Sequence, residues 1–134
     1  MKFASYNIQY GTGKDGRIDL NRIAAEVGDA DVIALQEVDR FNSETQMSDQ
    51  VAELAELFPS HYYVYGPGVD IDASFHDASG KLNNRRRQFG NMLLSKTPII
   101  SSRNHLLPKY GMNTLMSLQR SALEGVIECE LGLM

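Results

Sequence analysis

Residues 2–8 alternate between apolar and polar side chains, the period-two pattern of a strand with one buried face. The same alternation returns over residues 120–131. There Ala122, Gly125, Ile127 and Cys129 oppose Leu123, Val126, Glu128 and Glu130 and predict a long strand. Between these lie two stretches with helical spacing. Leu20, Ile23, Ala24 and Val27 form a stripe opened by Asp19 as N-cap and stopped by Gly28. Val51, Leu54, Ala55 and Phe58 form a second stripe, capped by Ser48 and ended by Pro59. The apolar run Val32-Ile33-Ala34-Leu35 predicts a buried strand over residues 31–38. Shorter strands are expected over 61–65, 88–95 and 99–107, with Pro98 in a turn. Gly66-Pro67-Gly68 opens what reads as a loop of about 20 residues, reaching Arg87. Residues 108–118 read as a second loop, and the chain stops soon after its last strand. There are no repeats, low-complexity tracts or linkers.

The strand over 31–38 carries a carboxylate, Glu37, at its C-terminal end, where α/β proteins place ligands. Asn7 ends the first strand in the same way. Two strand ends that each offer an oxygen are a plausible nucleus for a hard-cation site. Gly11-Xaa-Gly13 lacks the following Lys-Ser/Thr, so a phosphate-loop or dinucleotide reading fails.

Composition narrows the class. The chain has 134 residues, enough for one ordinary domain, with 43% hydrophobic and 22% charged positions. A net charge of -4 gives no global basic field for nucleic acid, although Arg85-Arg86-Arg87 could seed a local patch. The single cysteine, Cys129, forms no internal disulfide and fits a reducing compartment. No apolar run is long enough for a membrane span, and no signal pattern opens the chain. The expected localisation is cytoplasmic.

Four segments together resemble the N-terminal half of the endonuclease/exonuclease/phosphatase superfamily, the relatives of deoxyribonuclease I, exonuclease III and the neutral sphingomyelinases. They are Ser5-Tyr6-Asn7-Ile8, Leu35-Gln36-Glu37-Val38-Asp39, Gly90-Asn91-Met92-Leu93-Leu94-Ser95-Lys96 followed by Pro98-Ile99, and Arg120-Ser121-Ala122-Leu123. Their order and the elements between them span nearly the whole chain. The resemblance implies an α+β fold, half of a four-layer α/β/β/α sandwich with a mixed β-sheet and helices on one face. It implies a hydrolase of phosphate esters that uses Mg²⁺ or Mn²⁺ and a water nucleophile. By the resemblance Glu37 holds the metal, Asn7 supports the metal or a phosphate oxygen, and Arg120 and Asn91 assist with substrate. The later family motifs, a histidine on a following strand, Gly-Asp-Xaa-Asn and Ser-Asp-His, have no match among residues 1–134. The chain is therefore expected to be the N-terminal half of such a domain, inactive or nearly so by itself.

Other readings stay open beside these. Glu37 also reads as a surface carboxylate at a strand end, Asn7 as a residue that closes its strand with a side-chain turn, Asn91 equally as a packing residue between strands, and Arg120 as a brace beside Glu37. Gln36 is expected to hold backbone and Arg40 to be solvated. Asp39 stands between support for the site and simple solvation. His105 lies one strand too early for the catalytic histidine motif and reads as an ordinary surface residue. His76 with Asp70, Asp72 and Asp77 reads as an acidic solvated loop. The rival to an enzyme is a non-enzymatic half-domain that folds by association with a second copy or a complementing C-terminal half. The substrate class, whether nucleic acid, lipid or small molecule, is not set by these residues.

Overall fold

The computed structural model describes residues 1–109 and 118–134. Four strands form a mixed sheet: β1 (Phe3–Asn7), β2 (Val32–Arg40), β3 (Tyr62–Asp72) and β6 (Arg86–Ser95), in the order β1-β2-β6-β3. β1 and β2 are parallel; β6 runs antiparallel to both its neighbours. The small hairpin of β4 (Phe75–His76) and β5 (Leu82–Asn83) forms an arm between β3 and β6. A second sheet joins β7 (Ile99–Leu106), β8 (Ser121–Cys129) and the short β9 (Gly132–Leu133). Two helices complete the chain, α1 (Leu20–Val27) and α2 (Gln50–Leu57).

Alternation along the central strands separates three layers. Ile33 and Leu35 of β2 pair with Leu94 and Met92 of β6, and all four are buried against the helices. Leu20, Ile23 and Val27 of α1 and Val51 and Leu54 of α2 cover them, with Phe58 just beyond α2. The intervening residues of β6 face the other way. Asn91 reaches Ser121 of β8, and Leu93 lies where a side chain on Gly125 would overlap it. Helices, mixed sheet and second sheet therefore stack as α/β/β. No helix among the described residues is long and apolar enough to cross a membrane.

Several elements depart from the sequence reading, each for a physical reason. Asp49 rather than Ser48 caps α2, its carboxylate accepting from the Ala52 amide at 3.2 Å. Asp19 does cap α1, accepting from the Asn21 amide at 3.0 Å. Gly28 ends α1 without a left-handed turn (φ -63°); glycine fits there because an added side chain would meet the Ala24 carbonyl. The expected loop over 66–87 is mostly ordered strand. Gly66-Pro67-Gly68 lies within β3, with Gly68 as the extra residue of a bulge opposite β6. Proline is tolerated because β3 is an edge strand, and its carbonyl accepts from Asn104 of β7 at 2.8 Å. β9 is a return strand that the alternation did not reveal. The loop expected over 108–118 falls largely outside the described residues.

The three consecutive arginines are absorbed by the arm. Arg85 lies between the rings of Phe41 and Phe75, 5.2 and 4.7 Å from their centroids. Arg86 pairs with Asp70 at 2.8 Å and approaches Asp72, while Arg87 donates to the Phe41 carbonyl at 3.2 Å. Asp77 closes the arm's turn by accepting from the amides of Ser79 and Lys81.

Candidate functional site

Parallel pairing of β1 and β2 sets Asn7 opposite Gln36, so both strands bring polar side chains to one end of the sheet. Glu37 is not at the end of its strand, as the apolar run implied, but in a bulge within it. Leu35 pairs with Met92 and Val38 with Gly90, so three steps on β2 match two on β6. Leu35 and Val38 consequently both face the helical core, and the extra residue is accommodated by Glu37 in the left-handed region (φ 60°). That conformation costs a non-glycine residue about 1–2 kcal/mol. Such strain persists where the surroundings fix the backbone.

The surroundings here are specific. Gly90 sits opposite both bulges, in β2 and in β3, and a side chain on it would overlap the Gly66 carbonyl and the Pro67 backbone. The Tyr65 hydroxyl donates to the Val38 carbonyl at 2.9 Å, and burial holds its pKa above the usual tyrosine value. Asp39, 1% exposed, accepts from the Thr45 hydroxyl at 2.8 Å and from the Asn42 amide. Burial raises the Asp39 pKa, and the hydrogen bonds from Thr45 and Asn42 offset this in part.

A cleft of about 200 Å³ opens over the Glu37 bulge, bounded by Asn7, Glu37, Phe89, Asn91 and Arg120. The Asn7 side-chain amide donates to Glu37 Oε1 at 3.2 Å, and its own Oδ1 accepts from the Gln9 amide at 3.1 Å. Arg120 Nη1 lies 3.8 Å from the same Glu37 oxygen. The Arg120 guanidinium also lies over the Phe89 ring, 5.9 Å from its centroid. Asn91 Nδ2 donates to the Ser121 carbonyl at 2.8 Å, fixing the amide at the cleft wall. Tyr10 packs beside Phe89, and burial, then the Glu37 carboxylate, push its hydroxyl pKa upward.

All four residues singled out from the sequence, Asn7, Glu37, Asn91 and Arg120, thus line one cleft. Of the flanking residues, Gln36 also borders the cleft, and Arg40 does not. Gln36 donates to Ser5 and to the Ala34 carbonyl. Arg40 is not merely solvated: it binds Asp49 through two hydrogen bonds, at 3.0 and 2.9 Å, and reaches Gln88 at 2.8 Å. None of the three histidines borders the cleft. His61 meets the Ala30 carbonyl, His105 pairs with Glu124, and His76 is exposed on the arm. Sequence reasoning missed Tyr10, Gln50, Tyr65 and Phe89. One signal for the bulge was available, since the buried positions 33, 35 and 38 change their spacing from two to three.

The donor set suits a hard, well-hydrated cation. Among the described residues no group of three or more His, Cys, Asp or Glu side chains converges. Glu37 offers a carboxylate oxygen, the donor type that Mg²⁺ and Mn²⁺ take, while the Asn7 amide turns its nitrogen to Glu37 and its oxygen to the Gln9 amide.

The chain matches the model of the endonuclease/exonuclease/phosphatase family over residues 4–127. Its fold is similar to that of the crystal structure of an endonuclease/exonuclease/phosphatase from Beutenbergia cavernae DSM 12333. That match has a TM-score of 0.69 and 26% identity, covering 96% of this chain and 35% of that one. A family protein from Leptotrichia buccalis C-1013-b matches with a TM-score of 0.62 and 16% identity, over 97% of this chain and 50% of that one. The chain therefore spans about a third and a half of these two structures. No curated protein matches it.

Proposed function

Because the chain belongs to the endonuclease/exonuclease/phosphatase family, we propose that it forms the metal-holding, N-terminal half of a hydrolase of phosphate esters. The observation that supports this reading is Glu37 set in a strained bulge, contacted by both Asn7 and Arg120. In the proposal Glu37 holds Mg²⁺ or Mn²⁺ and Asn7 orients its carboxylate. The Asn7 oxygen has a second lone pair with which to support the ion or its waters. When bound, the cation supplies charge stabilisation to the phosphoryl group and the leaving oxygen.

The remaining groups act on the phosphate itself. Arg120 is 57% exposed at its side chain and carries a planar donor fork that suits a phosphate's oxygens. The aromatic face of Phe89 limits the orientations of that fork. Asn91 spends one N–H on the Ser121 carbonyl, and its amide has a second to offer a phosphate oxygen. No histidine borders the cleft, so the proposal leaves activation of water to groups beyond this set. The test is hydrolysis of bis(p-nitrophenyl) phosphate with Mg²⁺ and with chelator. This chain is expected to be nearly inactive, and a longer family protein to lose activity on Glu→Gln at the position equivalent to Glu37. Robust activity from the chain alone overturns the division of labour, and indifference of the longer protein to Glu→Gln overturns the metal role.

A second reading, an associating module without chemistry of its own, is favoured by one surface. β1 is an edge strand whose Phe3 is 57% exposed, beside a trough of about 500 Å³ shared with Cys129, Leu131 and Met134. Light scattering on a sizing column decides it: a dimer supports association, and a stable monomer at high concentration rejects it.

A further inference from the structure

Gln50 is the first residue of α2 and has no exposed surface. Both ends of its side-chain amide are engaged, on different parts of the chain. Nε2 donates to the Tyr10 carbonyl at 2.7 Å, and Oε1 accepts from the Asp39 backbone amide at 3.1 Å. Tyr10 lies three residues past Asn7, and Asp39 two residues past Glu37. The same two segments hold residues in the left-handed region, Gln9 and Tyr10 (φ 48° and 46°) on one side and Glu37 (φ 60°) on the other. Each of these backbones needs an external partner to stay where it is.

We propose that Gln50 is a positioning residue which fixes the separation of Asn7 and Glu37 by tying the turn after the first to the strand after the second. The inference rests on the metal-holding role proposed above for that pair. The direct Asn7–Glu37 hydrogen bond is exposed to water and, at 3.2 Å, at the long end of the normal range. It follows that the pair is registered from behind, through one buried and one part-buried bond that are better shielded from water than the direct one. The chemistry at position 50 calls for an amide. A carboxylate accepts from Asp39 N but cannot donate to the Tyr10 carbonyl while ionised, and a methionine fills the volume and makes neither bond. A side chain that only satisfied buried backbone groups would affect stability and leave the site geometry alone.

The experiment compares wild type with Gln50→Met and with Val51→Ala, a buried neighbour on α2 that faces the helical core. Three quantities are read: the thermal midpoint, the NMR resonances of the Asn7 side-chain amide in metal-free protein, and the Kd for Mn²⁺ by calorimetry. Gln50→Met is expected to shift the Asn7 resonances and weaken Mn²⁺ binding at least five-fold. Val51→Ala is expected to lower the midpoint and change neither. If Gln50→Met behaves as Val51→Ala does, the positioning role is overturned. Should Gln50→Met fail to fold, Gln50→Asn, whose amide is one carbon too short to span both partners, is read in the same way. If wild type binds no Mn²⁺, the metal reading fails separately. The Asn7 resonances then decide the clamp, with an unshifted signal overturning it.

Discussion

The Tyr65 hydroxyl donates to the Val38 carbonyl one residue beyond the left-handed Glu37, so an edge strand braces the bulge in the strand two places away. Tyr65→Phe removes that donor and leaves a part-buried carbonyl short of a partner. We expect a loss of about 1–1.5 kcal/mol in urea unfolding, with the slope of the transition unchanged. A changed slope would mean that the variant alters the unfolded or native compactness instead.

Glu37 shows a conflict between backbone comfort and side-chain use. Glu37→Gly relieves the positive φ and is expected to raise stability by about 0.5–1 kcal/mol. The same change should abolish Mn²⁺ binding in a calorimetric titration. A less stable Glu37→Gly protein would show that the side chain, through Asn7 and Arg120, contributes more than the strain costs.

Asp39 makes stability depend on pH in the direction opposite to an exposed, paired carboxylate. Its folded pKa is raised, first by burial, so the native state binds its proton more tightly than the unfolded chain. Its contribution is complete below the unfolded value of 3.8 and declines as pH rises through the folded value. Asp15, Asp29, Asp31 and Asp77 have lowered values, and their contributions disappear as pH falls. The difference between wild type and Asp39→Asn isolates the buried group. Relative to the variant, wild type should lose stability on going upward from about pH 4. A difference that stays flat with pH would contradict this.

Gly90 is the residue on which both bulges depend. A methyl there meets backbone on β3, which cannot rotate away as a side-chain tip could. Gly90→Ala is expected to cost about 2–4 kcal/mol. Gly80, with φ 83° and open space around it, serves as the comparison, and alanine there should cost about 1–2 kcal/mol by backbone strain alone. A loss at Gly90 no larger than that at Gly80 in thermal or urea unfolding would show that β3 yields to the added methyl and that the close contact is not what requires glycine there.

Much of the helical layer was legible because α1 and α2 each bury one stripe and β2 an unbroken apolar run. Glu37 and Asn7 were singled out first as oxygen donors at strand ends, and Asn91 and Arg120 only through the four short motifs. The geometry that joins them was not visible. The one trace of the extra residue, the step of three from Leu35 to Val38, is hidden by the continuous apolar run before it, so the Glu37 bulge read as a strand end. Gly66-Pro67-Gly68 read as a breaker because its glycines answer to close packing by the second sheet, a non-local demand: Gly66 would crowd Asn104 and Leu123, and Gly68 the backbone at Gln119. Gln50 passed unnoticed because a glutamine at the start of a helix normally faces water. Its two partners lie 40 and 11 residues away in sequence.

The aromatic stacking of Arg85 bears on how the protein meets proteases. Arg85, Arg86 and Arg87 offer trypsin three consecutive cleavage points, yet each guanidinium is engaged and Arg86 and Arg87 lie within a paired strand. A protease must draw such a segment out as an extended, unpaired chain before it can cut. Limited trypsinolysis should therefore spare this run until the grip of Phe41 and Phe75 is released. Phe75→Ala would then convert the arm into an early nicking site, with a fragment boundary at residues 85–87.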